Sequence, residues 1–108
     1  MKNSVKKEIE EIIKFYKLNC SIEEFKNKVN WNNISIHQKL SENFIREFRN
    51  KLNWYWISCK QKLSDSFIRE FRSKLDLNIL SQKNRITPEF YYELKHPKKV
   101  SRFELMDI

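Results

Sequence analysis

A 23-residue unit occurs three times in this chain, and that period limits what it can fold into. Residues 29–51 read VNWNNISIHQKLSENFIREFRNK, residues 52–74 read LNWYWISCKQKLSDSFIREFRSK, and residues 75–97, LDLNILSQKNRITPEFYYELKHP, follow the pattern in degraded form. The first two copies share 15 of 23 positions without a gap. A fixed period of this length means stacked supersecondary units, each too small to bury its apolar face alone. The expected architecture is a short all-α helical-repeat solenoid with a surface for binding, rather than a fold built around an enzyme pocket.

Each repeat reads as two helices. The second is the better marked, opening at Ser41, Ser64 and Thr87, all residues that cap helix N-termini. Glu42, Asp65 and Pro88 follow at the first helical position, where acids and proline are favoured. From there Phe44, Ile45 and Phe48, then Phe67, Ile68 and Phe71, then Phe90, Tyr91 and Leu94 lay down an apolar stripe at helical spacing. Glu47–Lys51 and Glu70–Lys74 would be helical i,i+4 pairs. The first helix is one to two turns long, capped by Asn30, Asn53 and Asp76 and anchored by Trp31 and Trp54. A helix this short needs tertiary packing to persist.

Upstream, Val5, Ile9, Ile12, Ile13 and Tyr16 mark an amphipathic helix over about residues 4–18. Ser21 and Glu24 form a capping box for a further helix over 22–28, and Ile22 and Phe25 lie one period before Ile45 and Phe48. The chain is thus expected to be a single domain over 1–108, with an N-terminal helical cap (1–28), three repeats (29–97) and a C-terminal tail (98–108) that folds back or docks elsewhere.

Composition narrows the function. The chain has no glycine, which excludes the phosphate-cradling P-loop and the dinucleotide fingerprint and leaves Asn at its corners. His37 and His96 lie far from Cys or paired carboxylates at ligand spacing, so no metal, cofactor or catalytic residue is expected. Cys20 and Cys59 do not recur at the period and read as buried or half-buried free thiols. The charged N-terminus is not a signal peptide, and no apolar run approaches the ~18 residues of a membrane span. The reading is therefore a cytosolic protein that does not engage a membrane.

The net charge of +8 is uneven: residues 31–74 carry nine basic and four acidic side chains. Arg46 and Arg49, then Arg69 and Arg72, recur at i,i+3, and Lys39, Lys62 and Arg85 form a second row. Together these are a candidate basic ridge for phosphates. They also suit a solvated face on which Glu42 and Asp65 pair with Arg46 and Arg69. Where the copies differ, Asn32 becomes Tyr55, Asn33 becomes Trp56, Ile36 becomes Cys59 and His37 becomes Lys60. Repeat proteins hold their packing residues and vary their outward ones, so Tyr55 and Trp56, with Lys60 and Lys62, are the candidate partner-binding patch.

The string Trp31-x-x-Ile34-Ser35-x-x-Gln38-Lys39-Leu40-Ser41-x-x-Phe44-Ile45-Arg46-Glu47-Phe48, repeated from Trp54 to Phe71, resembles a short repeat found in proteins of large DNA viruses and bacteriophages. The third copy departs from it at Leu77, Asn84 and Ile86. The resemblance implies a phage or viral origin and action in the host cytosol. Small proteins of that origin often bind and block a host factor. A nucleic-acid-handling defence nuclease such as a CRISPR effector is one target of this kind, which would make the chain an anti-CRISPR candidate. The alternatives are a direct nucleic-acid binder through the Lys/Arg ridge, and a self-assembling structural viral component.

Overall fold

The computed structural model describes residues 1–96; the tail expected over 98–108 lies outside them. Among the described residues the protein is all-helical: α1 (Asn3–Tyr16), α2 (Phe25–Lys28), α3 (Trp31–His37), α4 (Glu42–Glu47), α5 (Trp54–Lys60), α6 (Asp65–Glu70), α7 (Leu77–Gln82) and α8 (Pro88–Lys95). The starts of α3, α5 and α7, and of α4, α6 and α8, are each 23 residues apart, so the sequence period is the period of the helices. The chain divides into two compact bodies, Met1–Leu63 and a second from Ser64, with the boundary between the two helices of the second repeat.

Every repeat helix starts on the cap its sequence marks. Asn30, Asn53 and Asp76 accept hydrogen bonds from the backbone N–H groups of Asn33 (2.9 Å), Tyr55 (3.1 Å) and Ile79 (3.0 Å). The hydroxyls of Ser41, Ser64 and Thr87 accept from those of Phe44 (3.1 Å), Phe67 (3.2 Å) and Phe90 (3.0 Å). Each cap satisfies a donor the helix cannot, worth about 1 kcal/mol.

In the N-terminal body, α1 packs on α4 and α3 packs on α5. Phe25, Phe44 and Ile34 are fully buried. Phe25 lies edge-on to Trp31 (5.7 Å) and Phe44 (6.3 Å), and Phe48 stacks obliquely on Trp31 at 5.1 Å. The position of Phe25, one period before Phe48, therefore carries the apolar stripe back into the residues that precede the first repeat. The indole N–H groups of Trp31 and Trp54 donate to the carbonyls of Lys26 (2.9 Å) and Arg49 (2.8 Å), five residues upstream in each case. In the C-terminal body α7 packs on α8, Phe67 contacts Phe71 at 4.6 Å, and Leu80 and Leu94 are buried.

Some local expectations are corrected. The Ser21–Glu24 box forms, with Ser21 N–H to Glu24 at 3.0 Å and Glu24 N–H to Ser21 at 3.2 Å, but it closes a turn, and α2 begins only at Phe25. The helix α1 ends at Tyr16, where Lys17 turns left-handed (φ 56°) and Leu18 N–H bonds back to Ile13. With no glycine available, Lys17 and Asn84 take the positive-φ corners, so only one of the two is the expected Asn. Because α4 ends at Glu47 and α6 at Glu70, Lys51 and Lys74 lie in the following turns rather than one helical turn on. In the third repeat Tyr91 is only half-buried, and its hydroxyl donates to Asn78 at 2.7 Å.

Candidate functional site

A buried amide helps to join the first two repeats inside the N-terminal body. Gln61 is 3% exposed. Its Nε2 donates to the carbonyls of Ser35 (3.2 Å) and Gln38 (2.7 Å), and its Oε1 accepts from the Leu40 backbone N–H (3.0 Å). The buried Ser35 hydroxyl donates to the Trp31 carbonyl (2.7 Å) and accepts from Asn53 N–H (3.2 Å). The Gln and Ser of the repeated string are thus a polar joint between the first two copies, a role that sequence periodicity alone does not reveal. One copy earlier, Gln38 donates to the Tyr16 hydroxyl at 3.0 Å, which itself donates to Asn33 Oδ1 at 2.8 Å. The helix α1 also holds the start of α4, because Glu8 accepts from both the N–H (3.0 Å) and the hydroxyl (2.6 Å) of Ser41.

Away from this joint, α3 and α5 differ in the residues they present. Tyr55 is 48% exposed and meets the half-buried Trp56 edge-to-face at 5.0 Å. Lys60 is exposed one helical turn beyond Trp56, and Lys62 is exposed on the strand-like link beside the buried Gln61. Asn32 and Asn33, the first-repeat counterparts of Tyr55 and Trp56, are exposed as well, and Asn53 Nδ2 donates to Asn32 Oδ1 at 2.8 Å. Cys59 is buried, in line with its reading as a buried or half-buried thiol, and Ile36 at the same register is half-buried, so that position faces inward although it varies between repeats. Both cysteines are free.

Charge sharpens this surface. There is no Asp or Glu from Phe25 to Ser41, nor from Phe48 to Ser64, so α3, α5 and their flanks carry only cations and neutral groups. The acids lie in the N-terminal 24 residues, at Asp76, in the second helix of each repeat and in the C-terminal tail. This gap was visible in the sequence as an absence at the same register in two copies.

The ridge arginines make contacts within the protein. Arg49 and Arg72 sit in the turns after α4 and α6, not on a shared helical face with Arg46 and Arg69. They donate back to the carbonyls of Arg46 (3.0 Å) and Arg69 (3.4 Å). Arg46 donates to Asn43 at 3.3 Å. In the C-terminal body Arg69 pairs with Glu93 (2.7 and 3.4 Å) and lies 4.7 Å over the Phe90 ring. The hydrogen bonds to Glu93 raise its pKa further, and Asp65, the expected partner, adds only a weaker electrostatic push. Lys39 is exposed in the N-terminal body and Arg85 in the C-terminal body.

Among the described residues no group of three or more His, Cys, Asp or Glu could hold a metal, and no helix is long and apolar enough to cross a membrane. Compared with known proteins, the chain matches no family model, no curated protein and no solved structure.

Proposed function

We propose that this is a non-catalytic helical-repeat protein of phage or viral type. In this reading it docks on an acidic surface of a host protein and blocks it, and its repeats stack as a short solenoid behind a helical cap. The observation that carries the reading is the Tyr55–Trp56 pair. Two large aromatic rings, one of them half exposed, replace two asparagines at positions the repeat does not need for packing, on helices flanked by cations alone. Exposed aromatics on a rigid element are the usual anchors of protein interfaces, and the lysines beside them favour a partner rich in Asp and Glu. A nucleic-acid-handling defence nuclease, a CRISPR effector among them, is one host target whose blockade would fit. Direct nucleic-acid binding through the arginines receives less support, because Arg49, Arg69 and Arg72 already bond to carbonyls or carboxylate.

Affinity capture from host lysate tests this, run with and without nuclease and with Tyr55→Asn/Trp56→Asn as control. The expected result is one stoichiometric protein that survives nuclease treatment and is lost with the double variant. Recovery that vanishes with nuclease would instead assign the protein to nucleic acid.

A further inference from the structure

Lys2 and Arg49 line one cavity of the N-terminal body, and neither makes an ion pair among the described residues. The cavity, of about 170 Å³, is lined by Lys2 and Val5 at the start of α1 and by Asn43, Arg46, Glu47 and Arg49 from α4 and the turn after it. Val5 is buried, and every other lining side chain is polar or charged. Arg49 uses Nη1 to donate to the Arg46 carbonyl at 3.0 Å. That bond fixes its guanidinium and leaves the remaining N–H groups without an acceptor among the described residues. Asn43 Oδ1 accepts from Arg46 at 3.3 Å, which leaves the Asn43 Nδ2 as a donor. Arg46 has further contacts of its own and brings only its charge. Glu47, the one carboxylate of the lining, is exposed and pairs with none of these cations.

We propose that this cavity binds the phosphate group of a small phosphomonoester. Its space equals that of several water molecules, enough for one tetrahedral oxyanion. Lys2 and Arg49 supply two positive charges that no carboxylate of the protein neutralises by contact, and a phosphomonoester carries a charge of about −1.5 to −2 at neutral pH. The guanidinium edge and Asn43 Nδ2 offer directed N–H donors to the oxygens, and the ammonium adds a point charge. A phosphodiester carries one charge, and its chain has to leave the cavity in two directions, so an internal phosphate of a nucleic acid matches less well. The site uses α1 and α4 and does not depend on the role proposed for Tyr55 and Trp56.

The test is a titration of the full-length ¹⁵N-labelled protein with methyl phosphate, at neutral pH and constant ionic strength, read by amide shifts. The expected result is saturable, millimolar binding that moves the amides of residues 2–5 and 43–49. Lys2→Gln and Arg49→Gln should each weaken it about tenfold, the scale of one charge-assisted hydrogen bond, and melt like the wild type because both side chains are exposed. Glu47→Gln should tighten it, since that change removes the one negative charge of the lining. Dimethyl phosphate and acetate should bind at least tenfold more weakly than methyl phosphate. Non-saturating shifts, equal affinity for acetate, or affinity unchanged in both cation variants would overturn the site. Weaker binding in Glu47→Gln would overturn the charge account of the cavity. Dimethyl phosphate binding as tightly as the monoester would overturn the monoester in favour of a nucleic-acid backbone.

Discussion

The helices α3 and α5 are two versions of one design. Both begin on an Asn cap, both donate an indole N–H to a carbonyl five residues upstream, and both bury the Ile and Ser of the repeated string. The outer positions diverge: Asn32 and Asn33 on one, Tyr55 and Trp56 on the other. Nothing in the shared frame requires the change, because α3 forms without it. The comparison separates residues that hold the scaffold from residues available to a partner, and it can be broken on either side.

The largest effect should come from the frame. Phe44 and Phe67 occupy the same register and are both fully buried, so Phe→Ala at either should cost about 3–5 kcal/mol in chemical denaturation. A loss below about 1 kcal/mol at one of them would mean that the two copies are not equivalent in their packing. Next is the polar joint. Gln61→Ala strands the Leu40 N–H and two carbonyls in a buried site. A cost of about 3 kcal/mol is expected, since each unsatisfied group contributes about 1–3 kcal/mol. A near-neutral result would remove Gln61 as the link between copies.

The frame was legible where the signal was local and repeated. Ser41, Ser64 and Thr87 all cap the helices they were read to cap, and the Phe pairs are core. Three things were not legible, each because it depends on where separate segments meet. Gln61 reads as a linker residue until its amide is placed against the carbonyls of the preceding copy. Arg69 reads as the i,i+4 partner of Asp65, yet the chain brings Glu93 closer. A cavity lined by Tyr16, Leu18 and Asn33 requires residues before the repeats to be set against α3, which no periodicity reveals.

Smaller effects sharpen the same division. If the arginines belong to the frame, Arg69→Gln with Arg72→Gln should leave the salt dependence of any nucleic-acid binding unchanged. A ridge reading requires the logarithmic slope to fall by ~0.9 for each lost duplex contact. The least effect is at the exposed capping box. Hydrogen bonds from the backbone and hydroxyl of Ser21 hold the Glu24 carboxyl below its ordinary pKa. A depressed folded-state pKa gives stability that is fully present above the unfolded carboxylate pKa and is lost as pH falls through the folded value. Glu24→Gln should therefore lower the melting temperature slightly at neutral pH, with the gap from wild type closing in acid. A gap that widened in acid would contradict the assignment.

The central claim is that Tyr55 and Trp56 on α5 serve a partner more than the frame, and Tyr55→Asn with Trp56→Asn tests it most directly by giving the second repeat the residues of the first. Melting temperature and affinity for the captured partner are measured on the same preparation. The account expects stability near wild type and an affinity loss of about thirtyfold or more, the scale of two anchor residues removed from an interface. A collapse of the melting temperature, or binding that persists undiminished, would contradict it.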